Sequence, residues 1–230
     1  MKNLSFLLLF LTVWSCAEER VILLPEIENA EVTEVLDVSP AYLFYDETQP
    51  DSVFLNRKNL ISTTNWLVNV DKRLTLGQAI PHIKFLQDKK RNAKMHKNEN
   101  AKNYFTCNDT SIENLGFVEF TKTNYVFQEN FKYYRKSSDI NELIGGKINA
   151  NIKSKDSIII TSLEENGFIE LFNQSDFFNH LVFIQNQQSK ILVFTNYNPN
   201  ISFQDYILFK KRLMDHESEN ITIDNNEFIY

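Results

Sequence analysis

Two cysteines and four histidines are the residues of this chain that could supply a nucleophile or a soft metal ligand. A thiol nucleophile needs a histidine or another cation beside it to lower its pKa. Cys107 lies in the alternating run 104–108, which predicts a strand and a buried, inert thiol. The histidines are scattered along the chain: His82, His96, His180 and His216. None stands at zinc-ligand spacing from a cysteine or another histidine, so we predict no metal site and no catalytic residue.

Other catalytic and cofactor-binding patterns are missing from the sequence as well. Gly145 and Gly146 are adjacent, but their surroundings fit neither Walker nor dinucleotide-binding spacing. There is no Gly-x-Ser-x-Gly elbow and no isolated carboxylate pair suited to acid–base work. With 24 basic and 30 acidic residues, the chain lacks the excess of positive charge that is typical of nucleic-acid-binding proteins. We predict a non-enzymatic protein without a cofactor, and an enzyme on an unrecognised fold, using for example Cys107, is the alternative.

The first fifteen residues have the layout of a secretory signal peptide. A lysine near the start precedes the largely apolar run 4–14, which is shorter than the roughly 20 residues that a membrane-spanning helix needs. The following sequence, Val13-Trp14-Ser15-Cys16, resembles the lipobox of bacterial lipoproteins, in which the cysteine is acylated and becomes the new N-terminus. Trp14 is bulkier than is usual there, and an ordinary secretory signal with a coincidental cysteine is the alternative.

Lipid on Cys16, such as palmitate, would anchor the mature chain to an envelope membrane, because two or more acyl chains hold a protein stably. The outer membrane is favoured over the inner one, and the side of the membrane stays open. The acidic stretch after Cys16 resembles the surface-export tract of some Bacteroidota lipoproteins, and a solvated tether is the plainer interpretation. With Cys16 acylated, Cys107 has no partner for an intramolecular disulfide.

The predicted helices and strands that must position the cysteine and histidine side chains fall into two α+β stretches, one N-terminal and one C-terminal. In the N-terminal one, Thr75 and Gln78 form a capping-box pattern that begins a helix at Leu76, although Pro81 leaves a kink or a later start as alternatives. Strands are predicted around this helix at 41–45, 52–55, 66–70, 104–107 and 116–121. The expected divisions are a signal peptide 1–15, an acidic tether 16–38, an N-terminal unit 39–130, a linker 131–154 and a C-terminal domain 155–230.

Basic residues gather between positions 84 and 102, together with His96, in an asparagine-rich stretch. One interpretation is a patch for an anionic envelope component, such as lipid headgroups or a cell-wall polymer. The other is favourable positive charge at a helix C-terminus, followed by a solvated loop. The position of these side chains in the fold decides between the two interpretations.

The C-terminal domain has the clearest pattern in the chain. Asn166-Gly167 is a typical hairpin turn between two apolar runs, 157–161 and 168–172. Ser175-Asp176 and Ser202-Phe-Gln-Asp205 begin two predicted helices. Strands are predicted at 190–195, 221–223 and 227–230. The order is ββαβαβ, an α+β arrangement of one sheet with helices.

This order resembles the periplasmic domain of ExbD and TolR proteins, the ion-motor partners of the TonB and Tol systems. The matching features are the hairpin around Asn166-Gly167, the strand 191–195 and the segment 200–207 that leads into a helix. Asn196 stands where that family has an aspartate. The family's membrane-spanning helix with its acidic residue has no counterpart, so ion conduction is not carried over. The resemblance implies a binding module for an envelope protein or peptidoglycan.

A weaker internal similarity links the two stretches. Placing 74–76 on 201–203 aligns Ile80 with Ile207 and Leu86 with Leu213, while the strands then need a shift of about two residues. Two copies of one unit would explain this, and so would a chance likeness of two strand–cap–helix elements.

Overall fold

The structure is a computed structural model that describes residues 20–93, 98–128, 146–162, 169–186 and 190–230. These ranges contain twelve strands and three helices. In chain order they are β1 (Glu26–Ile27), β2 (Val38–Tyr45), β3 (Val53–Asn56), β4 (Asn65–Val70), α1 (Leu76–Arg91), β5 (Asn103–Asp109), β6 (Asn114–Glu119), β7 (Asn124–Val126), β8 (Gly146–Ser154), β9 (Ser157–Ser162), β10 (Ile169–Phe172), α2 (Gln174–Asn186), β11 (Ile191–Tyr197), α3 (Phe203–Met214) and β12 (Ile221–Ile229).

The strands form two mixed sheets of six strands each. Sheet 1 has the order β1–β5–β4–β2–β3, with β6 also paired to β5, and sheet 2 has the order β10–β9–β8–β11–β12–β7. Each sheet contains a parallel pair joined by a crossover helix, β4–α1–β5 in sheet 1 and β11–α3–β12 in sheet 2. The predicted α+β class with two similar units is confirmed. Sheet 2 is completed by β7, which lies in the stretch 39–130 that the sequence assigned to the N-terminal unit.

The turn between strand and helix has the same hydrogen bonds in both units. After β4, Asp71 Oδ1 accepts a hydrogen bond of 3.0 Å from Arg73 N. After β11, Asn198 Oδ1 accepts one of 3.0 Å from Asn200 N. The strand ends are five residues before the helix caps in both cases, so the two-residue shift that the sequence suggested is wrong. The reason is that β11 continues to Tyr197, where an asparagine-rich composition predicted a turn.

The helix caps are also equivalent. The Thr75 hydroxyl accepts from Gln78 N at 3.3 Å, and the Ser202 hydroxyl accepts from Asp205 N at 3.1 Å. The N-caps predicted at Thr75 and Ser202 are confirmed, and at Thr75 the Gln78 side chain also accepts from Thr75 N at 2.9 Å. The cap predicted at Ser175 is wrong, because α2 begins at Gln174 and Asp176 N donates to Asn173 Oδ1 at 2.9 Å. Helix α1 begins at Leu76 with Pro81 inside it, so the alternative start at the proline is wrong.

The two units meet at these caps, in what we call the cap seam. Segment 74–76 is joined to segment 201–203 by two backbone hydrogen bonds of 2.9 and 2.7 Å, on either side of an antiparallel bridge between Thr75 and Ser202. An antiparallel contact between equivalent residues relates the units by a local two-fold axis. The axis passes between α1 and α3, which contact each other.

One hydrophobic core joins both sheets. The ring of Phe105 in β5 stacks on Phe120 with 3.8 Å between centroids, and its centroid is 5.2 Å from that of Phe203 in α3. Tyr206, one turn along α3, contacts Tyr197 of sheet 2 with 5.2 Å between ring centroids. Helix α3 therefore lies between the two sheets, whose outer faces are on opposite sides of the molecule.

Strand β8 lies within the segment 131–154 that we predicted to be a linker. It pairs with both β9 and β11, and Ile148, Ala150 and Ile152 are buried. These buried residues alternate with lysine and asparagine, as expected for a strand with one buried face. The many polar residues made the segment look like a linker in the sequence. Residues 131–145, with the short helix predicted near 140–144, and the Asn166-Gly167 turn lie outside the described residues. At the C-terminal end, 221–229 forms one strand where two were predicted.

Residues 20–38 belong to the fold, whereas the sequence predicted a tether over 16–38. Ile27 is buried in β1, which pairs with β5. Ala30 N donates to Asp109 Oδ2 at 2.7 Å, and Val32 forms a bridge with Phe117 of β6. The four exposed glutamates of this segment interrupt its apolar residues, so that no helix or strand period predicts these contacts. Residues 16–19 lie outside the described part of the chain.

None of the helices in the described ranges is both long and apolar enough to cross a membrane.

Gly116→Ala is expected to release the N-terminal segment from β6. A Cβ at position 116 would lie 2.6 Å from Ala30 Cβ, so the segment must move, at a cost of about 1–3 kcal/mol in the free energy of unfolding. Hydrogen exchange of residues 26–32 should become faster. Adding Ala30→Gly removes the closest clash and should restore part of the protection. Equal exchange in the wild type and the single variant would show that this segment is not docked.

Candidate functional site

Cys107 is fully buried on the core face of β5. Its Sγ lies 3.9 Å from the Phe105 carbonyl oxygen, and burial raises the pKa of the thiol. The predicted burial of this residue is confirmed. A thiol with no exposed surface and a raised pKa cannot attack a substrate, so Cys107 is not a candidate nucleophile.

The three described histidines do not form a site. His82 Nε2 is 2.7 Å from Asp51 Oδ2, His180 is on α2, and His216 Nδ1 is 2.7 Å from a backbone oxygen at the end of α3. His96 lies outside the described residues. Within the described ranges, no group of three or more histidine, cysteine, aspartate and glutamate side chains could hold a metal ion.

A buried ion pair lies where β7, α3 and β12 meet. Lys210 Nζ donates to Glu227 Oε1 and, at 3.0 Å, to Thr123 Oγ1. The Tyr206 hydroxyl donates to Glu227 Oε2 at 2.6 Å and lies 3.1 Å from the Tyr125 hydroxyl. Burial and then the Glu227 charge raise the pKa of both tyrosines well above the ordinary value. Their hydroxyls therefore stay protonated and available as donors.

A cavity of about 240 Å³ opens over this pair and is lined partly by Lys122, Met214 and Asp224. Chemically, a lysine beside a glutamate could exchange a proton. The two groups satisfy one another, however, and Lys210 also holds Thr123, which precedes β7. We assign the pair to holding β7 on sheet 2.

A second cavity, which we call the basic pocket, lies at the C-terminal end of α1. The last turn of the helix places Lys89 and Lys90 beside Arg57, which follows β3, and Trp66, at the start of β4. Leu60, Ser62 and Ala93 complete the lining of this cavity, whose volume is about 450 Å³. Residues far apart in sequence thus bring three positive charges to one concave surface.

Lys90 is the buried member of this set, with 8% of its surface exposed. Its Nζ donates to Asn103 Oδ1 at 2.8 Å and to the carbonyls of Lys102 and Thr64 at 3.2 and 3.3 Å. The same Nζ lies 4.7 Å from the centroid of the Trp66 ring, a favourable cation–π distance. Burial lowers the pKa of Lys90 to about 8. None of these partners carries a negative charge, so the ammonium charge is not compensated.

Arg57 and Lys89 are exposed at the mouth of the pocket. Neither forms an ion pair within the described ranges, and the Arg57 guanidinium carbon lies 5.0 Å from the Phe85 ring centroid. Their donors are therefore free for a ligand. Three cations without a carboxylate among the described lining residues fit an anion such as a carboxylate, phosphate or sulfate group.

Sequence reasoning found part of this site and missed the rest. The basic segment 84–102 included Lys89 and Lys90, and both interpretations of it placed them at a helix C-terminus. The structure shows Lys90 packed under a cavity, which a purely solvated loop does not explain. Arg57 and Trp66 carried no local signal, since only the pairing of β4 with β2 and β5 brings them to the end of α1.

Anion affinity of the basic pocket is expected to fall as the pH rises through about 8, because Lys90 then loses its charge. Loss of one of the three positive charges of the basic pocket should weaken sulfate binding roughly tenfold between pH 7 and 9. Fluorescence of Trp66 reports the binding, and sulfate keeps its charge throughout. Lys90→Arg retains the charge and should flatten the profile. A pH-dependent loss that persists in this variant would contradict the role of Lys90.

Comparison with family models, curated proteins and solved structures finds no match to this chain. The similarity of residues 155–230 to ExbD and TolR domains therefore stays a prediction from the sequence.

Proposed function

We propose that this chain is a cell-envelope lipoprotein, anchored by lipid on Cys16, whose α+β fold is a non-enzymatic binding module. Its partner is an envelope protein or a cell-wall polymer that presents negative charge. The observation that carries the binding function is the basic pocket, with Lys90 uncompensated at its base and Arg57 and Lys89 free at its mouth. The export signal in the sequence supports the location.

The basic pocket is built as a recognition surface in three respects. Its aromatic wall, Trp66, is fixed by a hydrogen bond of 2.7 Å from Nε1 to the Ile61 carbonyl. Lys90 is held by three acceptors and acts on a ligand through its charge. Arg57 and Lys89 supply mobile donors that can adapt to an anionic group. A fixed base with adaptable donors at the rim suits a polymer with repeated carboxylates.

An envelope enzyme on an unrecognised fold was the alternative, with Cys107 as its example of a nucleophile. The complete burial of that thiol removes this support. The Lys210–Glu227 pair has acid–base character, but its hydrogen bonds go to residues that hold β7 in place. The geometry therefore favours binding at the basic pocket.

Charge reversal in the basic pocket is expected to abolish binding to the anionic partner. Arg57→Glu/Lys89→Glu should reduce co-sedimentation with isolated peptidoglycan by at least about tenfold, since each reversed charge repels a carboxylate. Lys153→Glu/Lys155→Glu makes the same change in net charge at the exposed end of β8 and in the turn that follows it, and should bind normally. Equal loss in both variants would mean that overall charge, not the pocket, drives binding.

Lipid attachment is expected at Cys16 and nowhere else. The intact mass of the membrane-extracted protein should correspond to a chain that begins at Cys16 and carries acyl groups. Cys16→Ser should prevent acylation and release the protein from membranes, because the acyl chains supply the anchor. An unmodified N-terminus in the wild-type protein would overturn the lipoprotein proposal.

A further inference from the structure

The outer face of sheet 1 carries no charged side chain on β2, β3 or β4. The strand register places Tyr42 between Asn56 and Asn69, and it pairs Phe44 with Phe54. The intervening residues, such as Leu43, point into the core. Nine residues of these strands share the outer face: Val38, Pro40, Tyr42, Phe44, Phe54, Asn56, Asn65, Leu67 and Asn69.

This face is aromatic and partly open. Tyr42, Phe44, Phe54 and Leu67 are half-buried, and Val38 is 40% exposed. The Tyr42 and Phe44 rings stack with 5.8 Å between centroids, and those of Phe44 and Phe54 are 6.2 Å apart. The described helices lie on the other side of the sheet, where α1 and α3 form the core. No described helix covers this apolar strip, which makes it a candidate interaction surface.

The described part of the chain begins on this same face. The Arg20 guanidinium carbon lies 3.9 Å from the Phe54 ring centroid, and Arg20 Nη2 forms an ion pair of 3.3 Å with Asp46. Three residues lie between Cys16 and Arg20, so even a fully extended chain spans at most about 14 Å over these four residue steps. Because residues 20–38 are docked on the fold, they add no slack to this distance.

We propose that the part of this outer face formed by β2, β3 and β4 lies against the bilayer that holds the acyl chains of Cys16, while the β5–β6 part, where Glu119 pairs with Lys102, stays in water. This inference rests on the proposed function, since it requires lipid at that cysteine. Because the segment between Cys16 and Arg20 is this short, the face stays close to the lipid headgroups. Phenylalanine and tyrosine rings enter the interfacial region favourably, and the absence of charge on the three strands avoids the cost of removing a charge from water. Arg20 remains at the edge, where its guanidinium can reach lipid phosphates.

The rest of the molecule is compatible with this orientation. The outer face of sheet 2, on the opposite side, carries Lys147 and Lys153 on β8 and would face away from the membrane. The basic pocket adjoins α1, on the inner side of sheet 1, and stays open to its partner. The membrane and the partner are thus bound by different surfaces.

The experiment uses the lipidated full-length protein in phosphatidylethanolamine and phosphatidylglycerol vesicles, with an environment-sensitive fluorophore on a single introduced cysteine. Phe54→Cys and Val38→Cys place it on the proposed membrane face. Leu171→Cys, 72% exposed on β10 at the outer face of sheet 2, is the matched apolar control. Cys107 is buried and Cys16 is acylated, so the label goes to the introduced residue.

Lipids brominated on their acyl chains should quench about half of the emission at positions 38 and 54 and leave position 171 nearly unchanged. Equal quenching at all three positions, or none at 38 and 54, in protein whose mass shows acylated Cys16 would overturn the orientation and leave the lipoprotein proposal intact. A mass without lipid at Cys16 would overturn both. Two labelling sites on the face guard against the loss of one variant through misfolding.

Discussion

The cap seam is the constraint on which the rest of the structure depends. At this one place, the first helical turns of α1 and α3 are fixed against each other by backbone hydrogen bonds around Thr75 and Ser202. Because each cap follows the end of a strand by only five residues, the seam sets the positions of β4 and β11 and hence of both sheets. The helices are left side by side between the sheets, with their apolar residues in one core.

The crossover from sheet 1 to sheet 2 reinforces this arrangement at the far ends of the helices. Gln87 and Arg91 of α1 donate to the Thr123 carbonyl at 3.1 and 2.8 Å, while Lys210 of α3 donates to the Thr123 hydroxyl at 3.0 Å. Both helices therefore donate hydrogen bonds to Thr123, the residue that precedes β7. The buried charge of Lys210 is balanced by Glu227 of β12. Loss of either residue would leave the other as an unpaired buried charge and would weaken the attachment of β7 to sheet 2.

The sequence predicted those parts of the fold that local chemistry determines. The two capping patterns at Thr75 and Ser202, the pairing of β9 with β10 and the burial of Cys107 follow from residue type and spacing, and the structure has them. Strand β8 was missed because its buried positions alternate with lysine and asparagine. The docking of residues 20–38 was missed because the apolar residues of this segment, interrupted by exposed glutamates, have neither the period of a helix nor that of a strand. In the candidate site, Lys89 and Lys90 could be predicted as a charged helix end, whereas Arg57 and Trp66 join them only through strand pairing.

The strand order of sheet 2 has a consequence for how the chain reaches its native state. Strand β12, at residues 221–229, lies between β11 and β7, so β7 at residues 124–126 acquires its partner only when a segment about a hundred residues later is in place. Contacts this distant in sequence carry a large loop-closure entropy and slow folding. The N-terminal half therefore cannot finish folding ahead of the C-terminal half.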